Sequence, residues 1–180
     1  GGGGRFAPAC EAGYREEGVH VAVDETVTEW CGSDTAHQYQ WYAWHNRGHD
    51  EIWRNASASE RKIVAEYYRR GLDAVVARAA LNGFRVGIPF IWCSNNLMIS
   101  FATQAYLYRR MTGDNQYRPY EQSALDWIFG VNPWGVSMGI GLPHYGLFAR
   151  DPHSVVAKQL VVERTGALLD GPVSASLYRH

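Results

Sequence analysis

The segment Leu125-Asp126-Trp127-Ile128-Phe129-Gly130-Val131-Asn132-Pro133-Trp134-Gly135-Val136-Ser137-Met138-Gly139-Ile140-Gly141 decides how the rest of the chain is read. Its first residues continue an amphipathic helix. Gly130 stands where a left-handed helix stop belongs, and Pro133 prevents the helix from restarting. Four of the nine residues 133–141 are Gly or Pro, so a loop follows, carrying Trp134 and Ser137. Such loops hold function more often than packing.

Working outward, three further helices precede this stop. Thr112-Gly113-Asp114-Asn115 is a turn, and the helix it feeds begins at Tyr117 or Pro119 and runs to Phe129. Before it, Leu97, Met98, Phe101, Ala102, Ala105 and Tyr108 recur at helical spacing over residues 95–111, with Ser94 as the expected N-cap. Earlier again, Ser57 or Ser59 starts the clearest helix, residues 60–81, with an apolar stripe of Ile63, Val64, Tyr67, Tyr68, Leu72, Val75, Val76 and Ala79. Between these two helices, residues 84–93 read as extended, because Pro89 disfavours helix and pushes Ile88 away from it. A further helix is expected over residues 34–53 from Trp41, Tyr42, His45, Gly48 and Ile52. Residues 5–30 have poor periodicity and support only a short strand or loop. Short connections make neighbouring helices antiparallel, so the chain reads as all-α, built of paired helical hairpins with chemistry-bearing loops at one end.

Composition narrows the partner. The 180 residues are 46% hydrophobic, enough for one sizeable core, and charged residues are 19% with a net charge of -1. No basic field exists to hold nucleic acid or an anionic membrane, and no apolar run is long enough to span one. A neutral partner fits. Aromatic residues make up 13%, including 7 Trp and 11 Tyr; rings with one wet edge line sugar clefts, and also fill ordinary helical cores. Cys10, Cys31 and Cys93 are an odd set without metal-ligand spacing, implying neither a disulfide framework nor zinc. His45 and His49 stand four apart, a spacing that puts two metal ligands on one helical face. Asn46 occupies the position where the zinc-protease motif needs Glu. No metal or other cofactor is expected.

Several short segments, in order, resemble family 9 of the glycoside hydrolases, the cellulases and related endo-β-1,4-glucanases. They are Trp92-Cys93-Ser94-Asn95-Asn96, Thr112-Gly113-Asp114 with Tyr117, the quoted segment from Leu125 to Met138, Pro152-His153, and Gly166-Ala167-Leu168-Leu169-Asp170-Gly171-Pro172. The resemblance covers most of residues 84–175. It implies an (α/α)6 barrel, of which residues 31–180 would form a part, with residues 1–30 a poorly structured lead-in. It also implies a β-1,4-glucan polysaccharide or oligosaccharide as partner and a secreted or periplasmic location.

Site residues follow by position from the resemblance. Trp92 matches a cleft tryptophan that stacks on a glucose ring, and Asn95 and Asn96 match cleft-lining positions. His153 matches the histidine of a Pro-His-x-Arg signature that binds sugar hydroxyls, although Val155 stands where the signature has Arg. Trp44 resembles a second stacking position. Asn132, Pro133 and Gly135 are expected to shape their loop instead of touching sugar. Family 9 enzymes invert the anomeric centre, using an Asp base and a Glu acid set roughly 6.5 to 9.5 Å apart to leave room for water. Neither the Asp-x-Gly-Asp-like motif nor the Glu-containing segment that supply them occurs in these 180 residues. The chain is therefore expected to be a fragment that supplies cleft wall and loops while its acid and base lie elsewhere. Two alternatives stay open: a noncatalytic β-glucan-binding protein, and a metal-binding helical protein using His45 and His49.

Overall fold

The computed structural model describes residues 16–20, 47–148 and 165–178. Among the described residues, helical residues 16–20 are followed by α1 (Arg47–Trp53), α2 (Ala58–Ala79), α3 (Ser94–Thr112) and α4 (Arg118–Ile128), with a short 3-10 helix at Ala175–Tyr178. Among the described residues there is no sheet, only isolated bridges pairing Ser137 with Phe148 and Gly139 with Leu168. The all-α expectation holds.

Helix α2 starts where its sequence has a capping box. Ser57 Oγ accepts from the Glu60 backbone N–H at 3.3 Å, and the Glu60 carboxylate accepts from the Ser57 N–H at 2.6 Å. Its buried residues Val64, Tyr68, Gly71, Leu72, Val75 and Ala79 recur every three or four positions and form one face. Arg69 lies outside that face, paired with Glu66 and Asp73. Asn82 then closes the chain reversal, donating from Nδ2 to Val86 O and accepting from Val86 N–H.

Helix α3 is the centre of the fold. Twelve of its 19 residues are buried, including the polar Ser94, Asn95, Ser100 and Gln104. A helix enclosed on so much of its circumference needs partners on more than one side. It packs on α4 most extensively and on α2 next, and α1 rests against α2 and α3. Leu97, Met98, Phe101 and Ala105 of α3 share one core with Leu72 and Val75 of α2 and Ala124, Trp127 and Ile128 of α4. The link between α3 and α4 is the expected turn, where Asp114 accepts from Gln116 N–H and from Tyr108 OH. Arg109 and Glu121 pair across the resulting hairpin at 3.0 Å.

Three local expectations need correction. Residues 16–20 are helical, not strand or loop. Val19 there is buried with Ile52 and Ala56, so docking onto the end of α1 outweighs weak local periodicity. Ser94 is not the N-cap of α3: that position is Cys93, which makes no side-chain cap bond, and the Ser94 hydroxyl bonds elsewhere. Residues 84–93 are not one extended piece but pass through successive turns and bends from Ile88 onward. Of the helix expected over residues 34–53, the described part, Arg47–Trp53, is helical; the rest lies outside the described residues.

Candidate functional site

Trp92, Asn95 and Asn96 lie where the loop before α3, the loop after α4 and the segment 166–174 meet. Ser94 N–H donates to Ile91 O at 3.1 Å, closing a four-residue turn with Trp92 and Cys93 at its corners. Cys93, at the second corner, adopts the left-handed conformation, φ 61°. Trp92 therefore stands at the tip of the turn, and 48% of its surface is exposed although it borders a buried helix end.

Asn95 follows a different course. It is fully enclosed, and its Nδ2 donates to Leu169 O at 3.0 Å while its backbone N–H donates to Asp170 O at 3.0 Å. Asn95 Oδ1 is buried and unmatched, a cost of about 1–3 kcal/mol for an acceptor out of water, so the amide serves here as a donor. Ser94, also buried, donates from Oγ to Pro172 O at 2.8 Å. The Asn95 N–H at the start of α3 is thus met by a carbonyl of a distant segment, while the Ser94 N–H is met locally by Ile91 O. Asn96, on the same turn, is partly buried.

That distant segment is anchored in turn. Leu169 N–H donates to Met138 O, Ile140 N–H to Ala167 O and Gly166 N–H to Ile140 O, a short antiparallel ladder onto the loop beyond α4. Gly171 crosses the start of α3 at φ 100°, and a Cβ there would lie 2.5 Å from Ser94 Oγ and 2.6 Å from Asn95 Cγ. Only glycine fits.

The loop after α4 turns at Gly130, φ 107°, as expected of a left-handed stop. Asn132 organises it: its Nδ2 donates to Trp127 O and Val136 O, and its Oδ1 accepts from Trp134 N–H and Val136 N–H. Asn132 is therefore a loop-shaping residue. Beneath, the buried Trp127 carries a stack with Phe90 at 5.6 Å and edge contacts with Phe84 at 5.8 Å and Trp134 at 6.0 Å. Both loops share this one aromatic base. The rings of Trp92 and Trp134 are exposed at this face, whereas the amides of Asn95 and Asn132 and the hydroxyl of Ser94 are enclosed and bonded within the protein.

Against that geometry, residues 13–179 match the model of glycosyl hydrolase family 9. The chain belongs to this family. Neither curated proteins nor solved structures give a match. As a glycosyl hydrolase family 9 chain it is of hydrolase and glycosidase lineage, and its helices are those of the family's helical barrel. No helix among the described residues is long and apolar enough to cross a membrane.

Not every predicted site residue enters the picture. Trp44 and His153 lie outside the described residues, as does His45. His49 is buried in α1 and meets the ring of Tyr68 edge-on at 5.9 Å. Its neighbour Asp50 pairs with Arg110 of α3 at 2.7 Å, which fixes α1 to the core. Among the described residues no three His, Cys, Asp or Glu side chains come together as a metal-binding group. The supporting roles of Ser94, Asp170 and Gly171 are absent from the sequence reading. The run from Gly166 to Pro172 was visible as a motif, but nothing in it names a partner more than seventy residues away.

Proposed function

We propose that this chain forms one wall of the substrate groove of an inverting β-1,4-glucanase acting on cellulose or a related β-glucan, in a secreted or periplasmic setting. The observation that carries the reading is the exposed Trp92, set on a turn that is bonded on both sides and followed directly by the buried Ser94 and Asn95. A ring so placed stacks on the apolar face of a glucose unit, and Asn96 beside it offers its amide to sugar hydroxyls. Asn95 acts behind the ring by holding the segment 169–170. His153 contributes hydroxyl contacts near the scissile bond and Trp44 a second stacking surface. The Asp that activates water and the Glu that protonates the leaving oxygen come from parts of the enzyme other than residues 1–180.

Trp92→Ala tests the binding half of the proposal. Loss of a central aromatic contact of about 2 kcal/mol corresponds to a dissociation constant for cellohexaose raised roughly 30-fold, read by calorimetry. Unchanged affinity overturns it. The hydrolytic half is tested by the reading frame: an Asp-x-Gly-Asp-like motif before this segment and a Glu-containing one after it are expected. The lack of both motifs within the 180 residues also favours a second reading, a noncatalytic β-glucan-binding protein. Glucan binding that depends on Trp92, in a protein whose complete reading frame lacks both motifs, selects that alternative.

A further inference from the structure

The loop bearing Trp92 is held at both ends by a single segment of chain. Ser174 N–H donates to Phe90 O at 2.7 Å on one side of the tryptophan. On the other, Ser94 Oγ and the two donors of Asn95 reach Pro172, Asp170 and Leu169. Trp92 lies between these two attachments, and the Asn95 amide is wholly enclosed for the sake of one of them. We infer that residues 169–174 are a positioning strap, which sets the ring of Trp92 for the sugar chain through Asn95, Ser94 and the side-chain-free Gly171. The inference rests on the proposed stacking role of Trp92.

The physical reason is preorganisation. A ring already fixed in its binding orientation loses little freedom when the ligand arrives, so affinity depends on the strap although the strap touches no sugar. Its rigidity has a source: the ladder from Gly166 to Leu169 ties it to Met138 and Ile140, and Met138 N–H donates to Ile128 O at the end of α4. The core hairpin is thereby connected to Trp92 through backbone hydrogen bonds. Gly171 is the sensitive point, since a methyl group there pushes the strap off Ser94 and Asn95 while leaving every residue of the tryptophan loop unchanged.

The experiment is a double-mutant cycle on the full chain. Gly171→Ala, Ser94→Ala and Trp92→Ala are compared singly and with each strap change placed on the Trp92→Ala background. Cellohexaose affinity is read by calorimetry and the Trp92 emission as the difference between spectra with and without that ring. Gly171→Ala is expected to weaken binding about tenfold, and Ser94→Ala about threefold, when Trp92 is present. Each loses less than about twofold once Trp92 is gone, because the two act through one contact. The Trp92 emission shifts to the red as the ring is released to water. Wild-type affinity in both strap variants overturns the inference while leaving the Trp92 reading intact, and so do equal losses with and without Trp92. Should Gly171→Ala fail to fold, Ser94→Ala decides by the same criteria. Wild-type affinity in Trp92→Ala overturns both the strap and the stacking role.

Discussion

Tyr117 joins the start of α4 to α2 with one hydroxyl. Its OH donates to Asp73 Oδ1 at 2.5 Å, and its ring meets Tyr108 edge-on at 5.2 Å. Burial, then the bond to the Asp73 carboxylate, raises its pKa above the usual tyrosine range; burial, then the charge of Asp50, raises that of Tyr68. Both rings must stay protonated in the folded protein. In the unfolded chain they ionise near pH 10, so above that value the unfolded state holds fewer protons and stability falls with rising pH. The contribution is complete below about pH 10 and is lost upward from there. Tyr117→Phe is expected to cost about 1.5–3 kcal/mol at neutral pH, the range for a hydrogen bond to a charged acceptor. It also makes the alkaline decline shallower by about 1.4 kcal/mol per pH unit, one proton's worth. Denaturant titrations at intervals from pH 7 to 11.5 measure both; an unchanged alkaline slope contradicts the assignment. Residues also differ in what their sequence context reveals. The loop-shaping role of Asn132 was legible, because Asn before Pro and Gly suits a turn. Asn95 was expected to line the groove, and its enclosure comes from Leu169 and Asp170, whose approach no local pattern encodes.

Among the elements, α2 was the easiest to read and its start is the easiest to test. The capping box depends on Ser57 and Glu60, both within one turn, so the signal and its effect are equally local. Ser57→Ala is expected to lower stability by about 1 kcal/mol, with Ser57→Asp close to wild type, as measured by denaturant titration. Equal stability of Ser57→Ala and wild type counts against the cap. The start of α3 shows the opposite case. Ser94 precedes a helical apolar pattern just as Ser57 does, yet its hydroxyl serves Pro172. The residue three places on differs, Leu97 here against Glu60 there, so no reciprocal box can form, and a strap from 74 to 78 residues away takes up the Ser94 hydroxyl and the Asn95 amide. Helices were therefore legible from periodicities of three and four. Contacts between loops, which carry the candidate site, depend on backbone approach and leave no such periodic trace.

At the scale of the whole molecule, the described hairpins bury one side of their apolar surface and present another. Phe129, Val131, Trp134, Leu142, Tyr145 and Leu147 all come from the end of α4 and the loop after it, and all are exposed. Large apolar groups so concentrated in one stretch exceed the scattered exposure that ordinary surfaces tolerate. In a barrel of paired hairpins each hairpin is flanked by others, which gives such side chains a cover that α1 to α4 do not supply. The isolated 180-residue chain is accordingly expected to bind a hydrophobic dye strongly and to self-associate at micromolar concentration, by fluorescence and by sedimentation. Phe129→Ser combined with Leu147→Ser should reduce the dye signal while shifting stability by no more than about 0.5 kcal/mol each, since substitutions of exposed side chains leave the core intact. The pairing of the two readouts separates this account from simple misfolding, in which dye binding and lost stability rise together. A monomer that unfolds in one cooperative step and ignores the dye contradicts it, and would mean that the loop surface beyond Phe129 is already covered within this chain.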